Sequence, residues 1–267
     1  MLKFISILIF SLTAQAQIQE TPLLQDCFNL ANTAAEKLNH DDVIYVFDID
    51  NTVLKLKHNF GSAQWFRWQQ KMIQDNSPER ISNSVDELLA IQSSIYQLSS
   101  AETPEATTAI LINQLQTKGY SVIFHTSRNL DTRESTVRDL KQNGLLPLVK
   151  TLGPAQGFAG TITYEQAPST QRAVSFQSGV YMSAGQDKGI WLNLLFEKIH
   201  YVPKHIVFVD DELKNLTNVE RAFKDKTPLT LCRYGAADTT VHDFETSDKA
   251  VEKAQWSLLR TIKEQLQ

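Results

Sequence analysis

The chain has 267 residues, 42% of them hydrophobic and 21% charged, with a net charge of −4. That balance suits one large domain, or one domain carrying an insertion, and argues against a disordered or repetitive chain. Acids and bases alternate along the sequence without a basic stripe, so nucleic acid is not an expected partner.

The first residues read "MLKFISILIFSLTAQAQ": a lysine, Lys3, then the apolar run 4–12, then Ala14-Gln15-Ala16. A positive n-region, an h-region and an A-x-A site in that order predict a signal peptide over residues 1–16. The run is too short to span a bilayer, and nothing later in the mature chain is apolar enough to do so. The expected location is periplasmic or secreted, with the mature chain starting near Gln17. Two cysteines remain, Cys27 and Cys232. An exported compartment permits a bridge between them, and two buried thiols are an equally open reading.

Residues 22–39 carry an apolar face (Leu23, Leu24, Phe28, Leu30, Leu38) at helical spacing. The apolar strand 43–47 follows. From 60 to 118 the pattern is helical, broken at "NSPER" and "SSAETPE". Pro78 and Pro104 sit where new helices would start, behind Ser77 and Thr103 as caps. Within this stretch Trp65, Phe66 and Trp68 read as helix core rather than as a base-stacking platform. A strand at 120–125 and a helix at 131–142, closed by Asn143-Gly144, come next. Residues 144–170 read as a loop, and its Gly153, Gly157 and Gly160 follow no strand, which argues against a phosphate loop. Residues 172–183 look extended. "QDKGIWLNLLFEKIH" reads as a helix with Ile190, Leu194, Leu195 and Ile199 on one side. The strand 205–209, a helix at 213–225, the strand "LTLCRYG" and a helix near 246–266 complete the chain.

Strands alternating with helices predict an α/β fold, a doubly wound parallel sheet with helices on both faces. The strands 43–47, 120–125 and 205–209 are continuous apolar runs, as strands buried on both faces should be. Ligands of such sheets bind beyond the carboxyl ends of the strands. What stands there is Asp48 and Asp50, then Thr126-Ser127-Arg128, then Asp210-Asp211, with Lys188 opening the helix before the last strand. Buried carboxylates need a partner or a metal. An oxygen-only set suits Mg²⁺, while a hydroxyl and an ammonium suit phosphate oxygens. The combination predicts phosphoryl transfer, in which catalysis is largely positioning and charge stabilisation. Arg128 either touches substrate or pairs with Asp131 or Glu134.

Four motifs stand in order: "DIDNT" at 48–52, "HTSR" at 125–128, "DKG" at 187–189 and "VDDELKN" at 209–215. In these the chain resembles the phosphatase branch of the haloacid dehalogenase superfamily, over residues 40 to 233. The resemblance implies a Rossmann-like core over 17–56 and 119–267 and a helical cap insertion over 57–118. It implies Asp48 as nucleophile, Asp50 as acid and then base, and Thr126 and Lys188 as phosphate holders. It also implies Mg²⁺ held by Asp48, Asp210, Asp211 and the backbone carbonyl of Asp50, with Asn215 reaching the metal shell or bracing Lys188. The implied substrate is a small or medium phosphomonoester, as for exported bacterial acid phosphatases with a helical cap. Asn51 departs from that pattern, standing where an acid is often found.

Other functions remain in view. A dehalogenase or phosphonatase would lack the second aspartate, Asp50. A phosphoacceptor signalling domain would sit inside the cell and carry no cap. A catalytically decayed relative would bind a phosphorylated ligand without turning it over.

Overall fold

The computed structural model describes residues 18–153 and 172–266. The predicted signal peptide and most of the 144–170 loop lie outside the described residues.

In chain order the elements are β1 (Gln19–Thr21), α1 (Leu24–Ala35), β2 (Val43–Phe47), β3 (Lys55–Leu56), α2 (Ala63–Gln74), α3 (Val85–Leu98), β4 (Ala101–Glu102), α4 (Thr108–Thr117), β5 (Ser121–Thr126), α5 (Arg133–Gln142), β6 (Ser175–Gln177), β7 (Val180–Met182), α6 (Lys188–Lys198), β8 (His205–Asp210), α7 (Leu213–Phe223), β9 (Leu229–Tyr234), α8 (Asp238–Thr246) and α9 (Ala250–Leu266). Seven strands form one sheet in the order β1-β9-β8-β2-β5-β7-β6. All neighbours are parallel except β6, which returns antiparallel beside β7 through a turn at Ser178-Gly179. The fold is α/β, a mostly parallel Rossmann-like sheet with flanking helices. None of the described helices is long and apolar enough to cross a membrane.

The central strand shows why the apolar runs are continuous. Along β2, Tyr45 and Phe47 pack with α1 and α4 residues such as Phe28 and Ile112 on one face. Ile44 and Val46 pack with Trp191, Leu195 and Leu216 of α6 and α7 on the other. Every residue of β2 is buried, so the period-2 alternation of a one-faced strand has no polar side to show. The chain leaves β2 for β5 on one flank and later returns to β8 on the other flank. The connections therefore diverge at β2, and a crevice opens at its carboxyl end.

A third apolar cluster lies off the sheet. Phe60, Trp65, Leu88, Ile95 and Phe244 form it, with Trp68, Trp256 and Leu259 against them. The helical layer beside the crevice is thus built from α2 and α3 together with α8 and α9. By contrast α4, inside the 57–118 stretch, packs on α1 and β5.

Several local expectations are corrected. Pro78 and Pro104 do not open helices: α3 starts at Val85 behind Ser84, whose Oγ accepts from the Glu87 N–H at 3.1 Å, and α4 starts at Thr108. Proline's fixed φ serves a turn as well as a first helical position. The closing helix expected near 246–266 is α9, but a further helix, α8, precedes it unanticipated; the two are separated at Ser247–Lys249, where Lys249 has φ of 62° and the Asp248 carboxylate caps Ala250 N–H at 2.9 Å. In α6 the buried face is Trp191, Leu192, Leu195 and Phe196, and Ile190 is exposed. Of the two readings left open for the cysteines, the bridge is the one present: Cys27 of α1 and Cys232 of β9 form a disulfide, with Cα atoms 5.6 Å apart.

Candidate active site

The six predicted site residues lie together at the carboxyl edge of the sheet. Asp48 follows β2, Thr126 ends β5, Asp210 ends β8 with Asp211 next, and Lys188 is the first residue of α6. All five of these positions are buried, and Asp50 is half-buried. The turn after β2 is what brings Asp50 back over the edge. The Thr52, Val53 and Leu54 amides all donate to the Ile49 carbonyl, and Asn51 N–H donates to Leu54 O at 2.7 Å. Asn51 takes φ of 62° there, a left-handed conformation that asparagine tolerates better than most side chains. Its amide also reaches Gln64 Oε1 of α2 at 3.4 Å.

Lys188 is the hub. Its ammonium, fully buried, donates to Asp48 Oδ1 and, at 2.7 Å, to Asp210 Oδ2. The glycine after it explains how a lysine gets that deep. A Cβ built on Gly189 would lie 2.1 Å from the Asn218 carbonyl oxygen of α7, so only glycine lets α6 come this close. Asp187 before it caps the helix, accepting from Ile190 N–H at 3.0 Å.

Asp210 is held from its other side. Asn215 Nδ2 donates to both its oxygens, at 3.0 and 3.1 Å, and the Glu212 N–H donates to Oδ1 at 2.8 Å. Asn215 therefore braces Asp210, not Lys188. Thr52 ties the loops together: its hydroxyl accepts from Asp211 N–H at 3.0 Å and sits 3.4 Å from Asp48 Oδ2.

Asp50 stands in a separate clamp. Arg128 grips it bidentately, Nη2 to Oδ1 at 2.9 Å and Nε to Oδ2 at 3.0 Å. Tyr96 of α3 donates its hydroxyl to Oδ1 at 2.8 Å, and the guanidinium lies 4.0 Å over that tyrosine's ring. Thr136 accepts the remaining guanidinium edge at 2.9 Å. Thr126 Oγ1 accepts from Arg128 N–H at 3.1 Å and is 3.5 Å from Asp50 Oδ2. The sequence expectation that Arg128 pairs with Asp131 or Glu134 is corrected: Asp50 is its partner. Tyr96 was not anticipated, because nothing in the spacing of α3 sets that tyrosine apart from packing residues.

The electrostatics divide the carboxylates. Burial pushes the Asp48 carboxyl up to about 7, with Lys188 pulling the other way and Asp210 and Asp50 adding to the rise. Burial likewise pushes Asp211 well above the usual range, reinforced by Asp48 and Asp210. Burial would raise Asp50 too, but Arg128, with Tyr96, outweighs it and holds that carboxyl below the ordinary value. For Lys188, burial opposes the charge and the two carboxylates more than offset it. Asp48, Asp210 and Asp211 each offer an oxygen within 4.8 Å of the others. One ammonium faces three buried carboxylates, and the donor set is oxygen-only. Both features fit a hard divalent cation such as Mg²⁺.

A cavity of about 490 Å³ opens over these groups, walled by Phe66, Arg67 and Gln70 of α2 and Leu89 and Gln92 of α3. Arg67 pairs with Glu212 across it, joining α2 to the loop after β8.

No curated protein matches the chain in sequence. Among solved structures, a haloacid dehalogenase-like family hydrolase from Streptococcus pneumoniae is similar at 10% identity and a TM-score of 0.42, over 76% of this chain and 99% of that one. The family model described as "Protein of unknown function (DUF2608)" matches residues 24–266, and the chain belongs to that family.

Proposed function

We propose that this protein is a Mg²⁺-dependent phosphomonoester hydrolase of the haloacid dehalogenase type, acting on a small or medium phosphate ester through an aspartyl-phosphate on Asp48. The observation that carries the reading is the buried set Asp48, Asp210 and Asp211 around Lys188, with a second aspartate, Asp50, held two residues on.

In this reading an Asp48 oxygen attacks the phosphorus, a new O–P bond forms, and the ester P–O bond breaks. Lys188 and the Thr126 hydroxyl hold the phosphate oxygens. Asp50 then takes a proton from the water that cleaves the aspartyl-phosphate, freeing inorganic phosphate and restoring Asp48. The proton gained by Asp50 goes to the leaving oxygen of the next ester. Arg128 favours the carboxylate form of Asp50, which suits the base step and favours esters whose leaving group needs little protonation. Asp48, Asp210, Asp211 and the Asp50 carbonyl would hold Mg²⁺, which would supply positive charge against the phosphate oxygens. The cavity above would receive a substrate of modest size, in keeping with a helical cap.

A binding-only relative is the second reading, favoured by one observation: every oxygen of Asp50 is already engaged by Arg128 and Tyr96. Turnover of para-nitrophenyl phosphate separates the two. Hydrolysis is expected with Mg²⁺, lost on chelation, restored by Mg²⁺ and not by Ca²⁺, whose looser coordination misplaces the nucleophile. Absence of turnover supports the binder, and full activity after thorough chelation contradicts the metal role.

We also propose that the protein is exported to an oxidising compartment, periplasmic or secreted. The leader-like residues 1–16 and the Cys27–Cys232 disulfide support this. N-terminal sequencing of exported material should begin near Gln17, and material still beginning at Met1 would contradict it.

A further inference from the structure

Helix α2 has two working faces. Ala63, Phe66, Arg67 and Gln70 recur at helical spacing and line the cleft already described. Trp65, Trp68 and Gln69 lie on the opposite side of the helix and line a second cavity of about 150 Å³. Its far wall is α9, which presents Glu252 and, one turn later, Trp256. Glu79 and Lys253 form its rim, paired with each other at 2.8 Å.

Two polar groups in this cavity have no partner among the described residues. Glu252 is only 6% exposed as a residue, and no described residue donates a hydrogen bond or an ion pair to its carboxylate, whose oxygens are open to solvent where it lines the cavity. Gln69 is 1% exposed; its carbonyl accepts from Ile81 N–H at 3.0 Å, but its Nε2 is unpartnered. Because Glu79 pairs with Lys253, Glu252 is the one carboxylate lining the cavity without an ion pair among the described residues. Buried amides are normally hydrogen-bonded, so the Gln69 Nε2 calls for an acceptor, and a carboxylate open to the cavity is free to take a cation. Three indoles around a lone carboxylate are what an organic cation recognises, since a cation over a tryptophan face is attracted by the ring quadrupole.

We propose that this cavity binds a small alkylated ammonium ion that also carries an oxygen acceptor. The ammonium neutralises Glu252 and lies against Trp65, Trp68 and Trp256. The oxygen takes the free Gln69 Nε2 hydrogen. A cavity of this size accepts a ligand of about six heavy atoms, which fits a choline-sized cation and excludes a nucleoside or a peptide. The site is independent of the phosphate chemistry, because no residue that lines it lines the cleft.

The test uses the full mature chain and choline chloride, read by calorimetry and by tryptophan fluorescence, with sodium chloride as the salt control. The neutral isostere 3,3-dimethylbutan-1-ol supplies the same shape without the charge. Saturable binding of choline is expected, with the neutral isostere at least about tenfold weaker. Glu252→Gln keeps the shape of the side chain and removes its charge. It should weaken choline by about tenfold or more while melting temperature and aryl phosphatase activity stay as in the wild type. A cavity holding only water would show no saturation by about 10 mM, below the affinity of even weak specific binding, and would overturn the proposal. Equal binding of choline and its neutral isostere to the wild type would overturn it as well, whatever the variant does.

Discussion

Replacing Lys188 by methionine should destabilise the fold strongly. The ammonium is fully buried and donates to both Asp48 and Asp210, so Lys188→Met strands two buried carboxylates beside Asp211. Breaking a buried ion pair from one side costs roughly 3–5 kcal/mol. One term runs the other way. A cation in the first turn of α6 opposes the helix dipole, and its removal returns at most about 1 kcal/mol, so the loss wins. For a chain of this size each kcal/mol moves the melting temperature by roughly 2–4 °C. The net expectation is therefore a fall of roughly 4–20 °C in metal-free buffer at about pH 9, above the raised Asp48 pKa of about 7 so that the stranded carboxylates stay charged, read by calorimetry. Adding Asp48→Asn to Lys188→Met removes one stranded charge and should recover part of the loss. A fall below about 2 °C for Lys188→Met would be less than the pair-breaking energy allows. That result, or a double variant no more stable than the single, would refute the charge balance described for the site.

The Cys27–Cys232 disulfide closes a loop across 205 residues of sequence. Chain-entropy reasoning gives it about 5 kcal/mol, so reduction or the paired Cys→Ser variant should lower the melting temperature by at least about 10 °C; an unchanged melt would show that the bridge constrains nothing. His125 is buried with neither ring nitrogen partnered among the described residues, and burial, then Lys188, holds its pKa well below the ordinary value. The unfolded chain takes up this proton as pH falls through about 6.5 while the native state does not. Stability from this group is thus present above that pH and is lost below it, by up to about 1.4 kcal/mol per pH unit. His125→Leu should flatten the fall in melting temperature between pH 7.5 and 5.5, and an identical slope in variant and wild type would contradict the assignment.

The chemistry-bearing edge was legible because each of its parts ends a continuous apolar run or opens a helix, and such runs at β2, β5 and β8 can only be strands buried on both faces. The α6 face was not legible. Ile190, Trp191, Leu192, Leu194, Leu195 and Phe196 ring the helix with apolar groups, so periodicity chooses no side, and the choice was made by how closely Gly189 lets α6 approach α7. The three-residue strand β1 is too short for any pattern. Tyr96 and Arg128 reach Asp50 from 46 and 78 residues away, and a contact across that distance is set by packing rather than by local sequence. The bridge stayed open for the same reason: two cysteines this far apart become neighbours only once α1 lies on β9.

Intact-mass analysis of Asp48→Asn and Asp50→Asn, after brief exposure to an aryl phosphate and Mg²⁺, tests the proposed chemistry most directly. Asp50→Asn retains the nucleophile but lacks the base for the water step, a loss of roughly 10²–10⁴-fold. It should release one burst of aryl alcohol and carry one covalent phosphate, whereas Asp48→Asn should carry none. A phosphorylated Asp48→Asn alongside an Asp50→Asn that turns over at the wild-type rate would contradict the roles proposed for both aspartates.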